Sequence, residues 1–484
     1  MSPLFTTAQL RAIEQAHPDA GLMERAGLAA ATLARELLGD DGSAILVIAG
    51  PGNNGGDALV AARHLMAWWY KVTVLFTGER DQLPADAQAA LDAWTAAGGS
   101  YTRDIPVQRY DLVLDGLFGI GLSKPLQGYH ADLVEAINSL DVPVLALDIP
   151  SGLCADTGRV LGCAVQASHT LSFIGLKPGL YTLDGPDHAG EVIVTDLGIA
   201  TKTPDAGTLL GNHPALPPAR RKNAHKGSVG SVGIIGGDYA MVGAAFLAGR
   251  AALLGGAGRV YVGLIAEHAP TVDLRQPELM VRSPKTLLDL PHLTALVIGP
   301  GLGRSGQAAA ILQRAIHVQA PLIADADALH LLAEDADLHA HFNARKTGNM
   351  LTPHPGEAAV LLGCAIQEVQ ADRIAAARNI AHRYNAITVL KGCGSIIAMP
   401  DGRWFINRSG NPGMSCAGMG DILCGLIGSL IGQGLTPEQA CLLGVYLHGT
   451  AADRLAERIG MIGLTAGEVA IEARTLINAW MREN

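Results

Sequence analysis

The chain has 484 residues, 49% of them hydrophobic and 17% charged, with 59 glycines and a formal net charge of −10. That length exceeds one ordinary core, so two or more domains are expected, and the apolar content argues against disorder. The acidic balance argues against a general nucleic-acid-binding surface but leaves a local basic patch open.

Residues 7–38 read as two helices ahead of a sheet. The runs "AILVIAG" (44–50), "KVTVLF" (71–76), "DLVLDGLF" (111–118) and "VPVLALDIP" (142–150) then read as strands, followed by the shorter "HTLSF" (169–173) and "EVIVTDLG" (191–198). Helices fill the gaps, for example 56–69 and 128–140. Strand, helix, strand in alternation predicts a parallel α/β sheet with right-handed crossovers. The stretch 203–227 breaks this rhythm with four prolines and a basic cluster, so a domain boundary is placed near residue 212. A second alternation follows, with strands at 232–237, 259–264, 295–301, 321–327 and 386–392 and a hairpin over 395–407 turning at Pro-Asp-Gly. Long helices over about 416–432 and 437–459 are expected to end the second domain. Aromatic residues are only 4% of the chain, which suits buried parallel strands under small-residue helices.

Seven cysteines without a C-x-x-C pair predict reduced thiols in a cytoplasmic protein. The first twenty residues show no basic segment followed by an apolar one, so no signal peptide is expected. No apolar run reaches the roughly 18 residues of a membrane span.

Ligands of open α/β sheets bind beyond the carboxyl ends of the strands, and in the first half three polar loops fall there. They are "PGNNGGD" (51–57), "DGLFGIGLSKP" (115–125) and "DIPSGL" (148–153). Gly52, Gly55 and Gly56 suit close approach of backbone amides to a ligand, with a helix N-terminus behind for phosphate. The loop is not G-x-G-x-x-G, so an ordinary dinucleotide fingerprint gains no support. Asn54, Asp115 and Ser151 offer oxygen ligands from three strand ends, a set that favours a hard cation. The alternative is local: Asn53 and Asn54 in a tight turn, Asp57 or Asp148 as caps and Lys124 as a solvated charge.

Together "AGPGNNGGDALVAARHL", "DGLFGIGLSKPL" and "LDIPSGL" resemble the epimerase domain of the NAD(P)H-hydrate repair enzymes, over roughly residues 1–210. The resemblance implies a Rossmann-like domain that interconverts the R and S forms of hydrated NADH and NADPH beside a potassium ion. It implies that Asn53, Asn54, Gly55, Gly56 and Asp57, with Gly119, Ile120, Gly121, Leu122, Ser123, Lys124 and Pro125, line the hydrated nucleotide. Asn54, Asp115 and Ser151 would hold K+, and Asp148 would be the leading acid/base group, ahead of Lys124. Ala58 stands where the family usually has a further glycine.

In the second half, "AGMGD" (417–421) opens a long helix, and its small residues leave amides free to bind an anion. Asp421 beside that site either does proton chemistry, meets a metal, or is simply a first-turn acid favoured by the helix dipole. Further polar clusters at strand ends are "GPGLGRS" (299–305), "DADAL" (325–329), "TPHPGE" (352–357) and "LKGCGS" (390–395). Asp325 and Asp327 either reach a magnesium ion or terminate a strand, and His354 is held stiffly between two prolines.

This set resembles the ribokinase-like superfamily and, with "HKGSVGSVGIIGG", "GPGLG", "TPHPGE" and "GNPGM…GMGD", more closely the ADP-dependent NAD(P)H-hydrate dehydratases, over roughly 215–480. The resemblance implies dehydration of the S hydrate with conversion of ADP to AMP and with Mg2+. Ala244, Gly303, His354 and Asp421 would contact the hydrate. Lys391, Gly392, Cys393, Gly394, Ser395 and Gly420 would contact AMP or ADP, and Asp421 would be catalytic. Cys416 is an unusual residue in the "SCAGMGD" run. The chain as a whole is thus expected to be two domains, 1–212 and 213–484, acting on small-molecule nucleotides, with no nucleic-acid or membrane partner, and to assemble as a homo-oligomer. The rival readings are a vitamin-precursor kinase of the ribokinase superfamily and a nucleotide-sensing module without activity.

Overall fold

The computed structural model describes residues 2–18, 21–39, 42–200, 205–211 and 214–483. It divides into two compact units, Ser2–Gly207 and Thr208–Asn484. The boundary expected near residue 212 falls on positions outside the described residues. The strand Gly207–Leu210, just before it, pairs in parallel with the strand Trp404–Asn407 of the second unit.

In the first unit the strands are β1 (Ser2–Leu4), β2 (Ala44–Ala49), β3 (Lys71–Phe76), β4 (Tyr101–Thr102), β5 (Leu112–Gly116), β6 (Val144–Leu147), β7 (His169–Phe173) and β8 (Glu191–Thr195). Seven of them form a sheet in the order β4-β3-β2-β5-β6-β7-β8, every pair parallel. Numbered from β2, this is the Rossmann order extended by one strand, and the order reverses between β2 and β5. β2 reads Ala-Ile-Leu-Val-Ile-Ala and is buried along nearly its whole length, as befits a central strand covered on both faces. The helix Leu22–Leu38 packs its alanine face, Ala26, Ala30, Ala31 and Ala34, against the helix Asn53–Ala67.

The second unit contributes β9 (Gly207–Leu210), β10 (Ser231–Gly236), β11 (Arg259–Leu264), β12 (Met280–Arg282), β13 (Ala295–Ile298), β14 (Leu322–Ala324), β15 (Asn349–Leu351), β16 (Ile387–Leu390), β17 (Ser395–Ala398) and β18 (Trp404–Asn407). They run β9-β18-β17-β16-β15-β14-β13-β10-β11-β12, antiparallel only across β16-β17-β18. Every hydrophobic position of the helix Met419–Gly432 is buried, and it packs against the helix Val242–Leu254 over the sheet.

Some elements differ from the expectation. The 203–227 stretch is not wholly irregular, because it contains β9. The helix Pro437–Ile459 does not end the unit: Ala466–Glu483 follows and packs on it. Its apolar positions, Val469, Ala473, Leu476 and Trp480, recur at helical spacing, a signal that was present in the sequence.

Candidate active sites

In the first unit the loops after β2, β5, β6 and β7 meet at the carboxyl edge of the sheet. Contact is close enough to demand glycine: a Cβ on Gly50 would lie 1.7 Å from the Leu117 carbonyl oxygen. The loops line a cleft of about 550 Å3 with Gly52, Asn53, Asn54, Asp57, Gly119 to Lys124 and Asp148. Arg11 and Glu14, from the helix Thr7–Gln15, line it too, and the sequence reading did not anticipate them.

Gly55 and Gly56 are set apart from the other residues of this loop. Both are buried inside the helix Asn53–Ala67, where a Cβ on Gly55 would stand 2.0 Å from the Gly50 oxygen and one on Gly56 2.6 Å from Met23. Glycine is required at both because chain packs on chain there. Gly52 does have open space around it. Asp57 lies in the helix beyond its first turn, with Gly52 as N-cap, so it is not the cap. Pro125 is exposed and lies outside the cleft lining.

Asp115 is fully buried at the end of β5. Its carboxylate accepts from Ser151 Oγ (2.6 Å), Ser151 N (2.9 Å) and Leu117 N (3.2 Å). Burial raises its pKa against those three donors, and among the described residues no cationic side chain offsets it. Asn54 is 9% exposed, and neither its Nδ2 nor its Oδ1 has a partner. A Cβ on Gly119 would lie 3.2 Å from its carboxamide carbon. A buried carboxamide with both ends unpaired is rare and calls for a ligand.

Asp148 holds a left-handed backbone, φ 69°, at the end of β6, strain of the kind that concentrates at functional sites. Its Oδ1 is bonded by the ammonium of Lys177 and by Phe173 N. Lys177 is fully buried and also donates to Ser172 Oγ and the Phe173 carbonyl, both at 3.0 Å. Burial lowers its pKa, against the pull of Asp148. Lys177 was missed in the sequence, although a lone lysine inside "LSFIGLKPGL" was a usable signal. Burial, and then the carboxylates of Asp148, Glu14 and Asp86, push the Asp57 pKa well above the ordinary value. Lys124 is exposed at the cleft rim.

In the second unit the helix Met419–Gly432 starts from Gly418, φ 92°, with Asp421 in its first turn. A Cβ on Gly420 would meet Lys391 Nζ at 3.1 Å and Asp325 Oδ2 at 3.2 Å, so this helix start lies directly on the Lys391–Asp325 pair. That pair is 2.8 Å long, with Glu357 3.8 Å from the same ammonium. Burial pushes the Asp421 pKa up to about 7, aided by the carboxylates of Asp325 and Glu357 and opposed by Lys391. Burial opposes the charge on Lys391, but Asp325 and Glu357 outweigh it and raise its pKa. Asp325 also accepts from the buried Cys424 Sγ at 3.4 Å.

His354 is the N-cap of the helix Pro355–Leu362. Its Nδ1 accepts from Gly356 N (3.0 Å) and Glu357 N (3.3 Å), and Glu357 Oε2 accepts from His354 N (2.8 Å). The ring therefore aims Glu357 at Lys391 while staying exposed. The loop from Lys391 to Ser395 turns through Gly392 (φ 138°) and Gly394 (φ 61°). It rests on the buried Arg373, whose guanidinium donates to the Leu390 and Lys391 carbonyls. Cys393 is exposed on this loop. Ala244 lies in the first turn of the helix Val242–Leu254, 3.4 Å from where a Cβ on Gly301 would be. Gly303, φ 71°, donates its N–H to Asp327 at 2.8 Å, so Asp327 pins the "GPGLG" loop. Cys416 fits by placing its thiol 3.3 Å from the Leu464 carbonyl.

The fold and these sites define a two-unit α/β chain whose second unit carries a nucleotide-type helix start. A family profile described as NAD(P)H-hydrate dehydratase matches residues 232–473, and one described as YjeF-related protein N-terminus matches residues 19–179. The second unit is similar to the ADP/ATP-dependent NAD(P)H-hydrate dehydratase of Bacillus subtilis, co-crystallised with ATP and Mg2+. Identity is 30% and the TM-score 0.50, over 56% of this chain and 99% of that one. Full-length relatives named bifunctional NAD(P)H-hydrate repair enzyme Nnr occur in Coxiella burnetii (40% identical, 99% of this chain and 100% of the relative) and Escherichia coli (39%, 94% and 89%). The chain belongs to the family of bifunctional NAD(P)H-hydrate repair enzymes.

Proposed function

We propose that residues 1–212 interconvert the R and S hydrates of NADH and NADPH, and that residues 213–484 dehydrate the S form while ADP becomes AMP and phosphate. The observation that carries the second half is Asp421, a carboxyl with a pKa near 7 at a glycine-rich helix start beside Lys391. Asp421 takes the proton of the hydrate's hydroxyl as its oxygen attacks the terminal phosphorus of ADP. AMP leaves with the electron pair of the broken P–O bond. Free amides at the helix start and Lys391 stabilise the phosphoryl charge. Phosphate then departs from the ring carbon while the neighbouring carbon loses a proton, which restores the dihydronicotinamide. Ala244, Gly303 and His354 are assigned to the hydrate, and the Lys391–Ser395 loop and Gly420 to the nucleotide. Mg2+ neutralises phosphate charge when bound. Around Lys391 the excess of carboxylates, Asp325 and Glu357 together, suits a second cation arriving with the nucleotide.

In the first unit Asp148 acts as acid/base from the cleft wall, positioned by Lys177 through one oxygen only. Asp57, whose pKa burial and neighbouring carboxylates raise, is the complementary acid/base group in the same cleft. The residues fit potassium: Asn54 has an unpaired buried carbonyl oxygen, and Asp115 has no cationic partner. K+ would there supply charge to orient the nucleotide, held by Asn54, Asp115 and Ser151.

Incubation of mixed R and S hydrates with and without ADP tests both halves. Without ADP the two forms should equilibrate and no reduced nicotinamide should appear. With ADP both should be consumed and its absorbance should return. A stable phosphorylated alcohol as the end product would instead mark a small-molecule kinase. Cytoplasmic location and assembly into a homo-oligomer complete the reading; among the described residues no helix is long and apolar enough to cross a membrane.

A further inference from the structure

His448 is a buried group that the mechanism above leaves unused. It lies on the helix Pro437–Ile459, is 6% exposed, and its Nε2 has no hydrogen-bond partner. Native structures seldom leave such an atom unpaired unless a ligand or solvent molecule completes it.

Its surroundings are specific. The helix packs on β16 and β17, whose connection is the 391–394 loop, and on the turn Pro412–Met414 just ahead of Asp421. It is fastened to the segment after β18 on either side of His448. Ser409 Oγ donates to the Tyr446 carbonyl at 3.2 Å, and a Cβ on Gly449 would strike Ser409 Oγ at 2.3 Å. Asp453, further along, accepts from Gly410 N and Asn411 Nδ2, both at 2.9 Å. These ties fix the helix backbone around His448 against the segment that leads into the helix start. Burial, and then the charge of Lys391, lower the His448 pKa to about 4, so the ring is neutral at working pH. A neutral imidazole suits an uncharged polar partner. Phosphate is already served by Lys391 and the helix amides.

We propose that His448 is a positioning residue of the nucleotide site, its Nε2 hydrogen-bonding an uncharged polar atom of the nucleoside part of bound ADP. This rests on the dehydratase reading and assigns that site a further residue.

The test is calorimetric titration of the full chain with ADP, beside steady-state dehydration. His448→Leu refills the buried volume without a hydrogen-bonding atom; His448→Gln restores an amide at similar reach. In the leucine variant the ADP Kd and KM should rise about five- to fifty-fold, with a smaller fall in kcat, as expected for loss of one buried hydrogen bond. The glutamine variant should recover most of that affinity, which a purely structural histidine would not predict. A folded His448→Leu protein that binds ADP as the parent does would overturn the proposal. Should the variants not fold, the imidazole nitrogen NMR signal of His448 in the parent must move when ADP is added, and an unmoved Nε2 signal also overturns it. A parent that fails to bind ADP removes the dehydratase reading and His448 with it. A binding parent with an equally binding leucine variant removes His448 alone.

Discussion

Asp421 and Asn54 show how environment, rather than residue type, makes a side chain chemical. Asp421→Asn keeps the shape and cannot ionise. Dehydration should fall by about two to four orders of magnitude, the usual worth of a general base, while epimerisation stays at the parent rate. In the parent, kcat/KM for dehydration should climb to a plateau as pH rises through about 7, the pKa that burial and then Asp325 impose on Asp421. Stability carries the opposite sign. The folded chain holds this proton more tightly than the unfolded one, so the group favours folding below the ordinary carboxylate pKa of about 4. That contribution is lost as pH rises through about 7. Thermal melts should therefore show the asparagine variant gaining on the parent between pH 5 and pH 8; parallel melting curves against pH would remove the perturbed carboxyl. Asn54 makes a complementary case. Because both its polar atoms are unpaired, Asn54→Ala should cost little stability, within about 1 kcal/mol, yet abolish any rise in melting temperature produced by K+ over Na+. An undiminished K+ effect in that variant would move the ion elsewhere.

At the scale of elements, the helix Pro355–Leu362 separates a capping role from a binding role for one histidine. His354→Ala removes an N-cap, which costs about 0.5–2 kcal/mol and loosens the hold on Glu357. His354→Asn keeps a cap and removes the ring. If the exposed ring contacts the hydrate, the asparagine variant should melt with the parent but show a several-fold higher KM for the hydrate. Equal KM values would leave His354 as a cap alone. The glycines of "PGNNGGD" sort in the same manner, with Gly52 beside open space and Gly55 against the Gly50 carbonyl. Identical residue types a few positions apart thus face open space and a packing contact.

For the whole molecule, the two proposed chemistries are assigned to separate compact units. A chain ending at Gly207, which leaves β9 with its partner β18, should epimerise hydrates in the absence of nucleotide. A soluble, folded but inert fragment would mean that the site around Asn54, Asp115 and Asp148 is misassigned or incomplete. The alternation of strand and helix and most strand positions were legible, because buried parallel strands need continuous apolar runs and their loops need glycine and polar residues. Short elements such as β9 and β12 left too weak a periodic signal.

By itself the sequence determined that there are two α/β halves, where their strand-end loops lie, and which family motifs those loops carry. These follow from local rules: hydrophobic period, turn chemistry and residue spacing. Only the tertiary structure decided that Lys177 grips Asp148, that Asn54 is buried without a partner, that Lys391 stands between Asp325 and Glu357, and that His448 reaches the same quarter of the second unit. Partners such as Asp325 and Lys391 are 66 residues apart in the chain. Their charges acquire chemical meaning only once burial removes the water that would otherwise screen them.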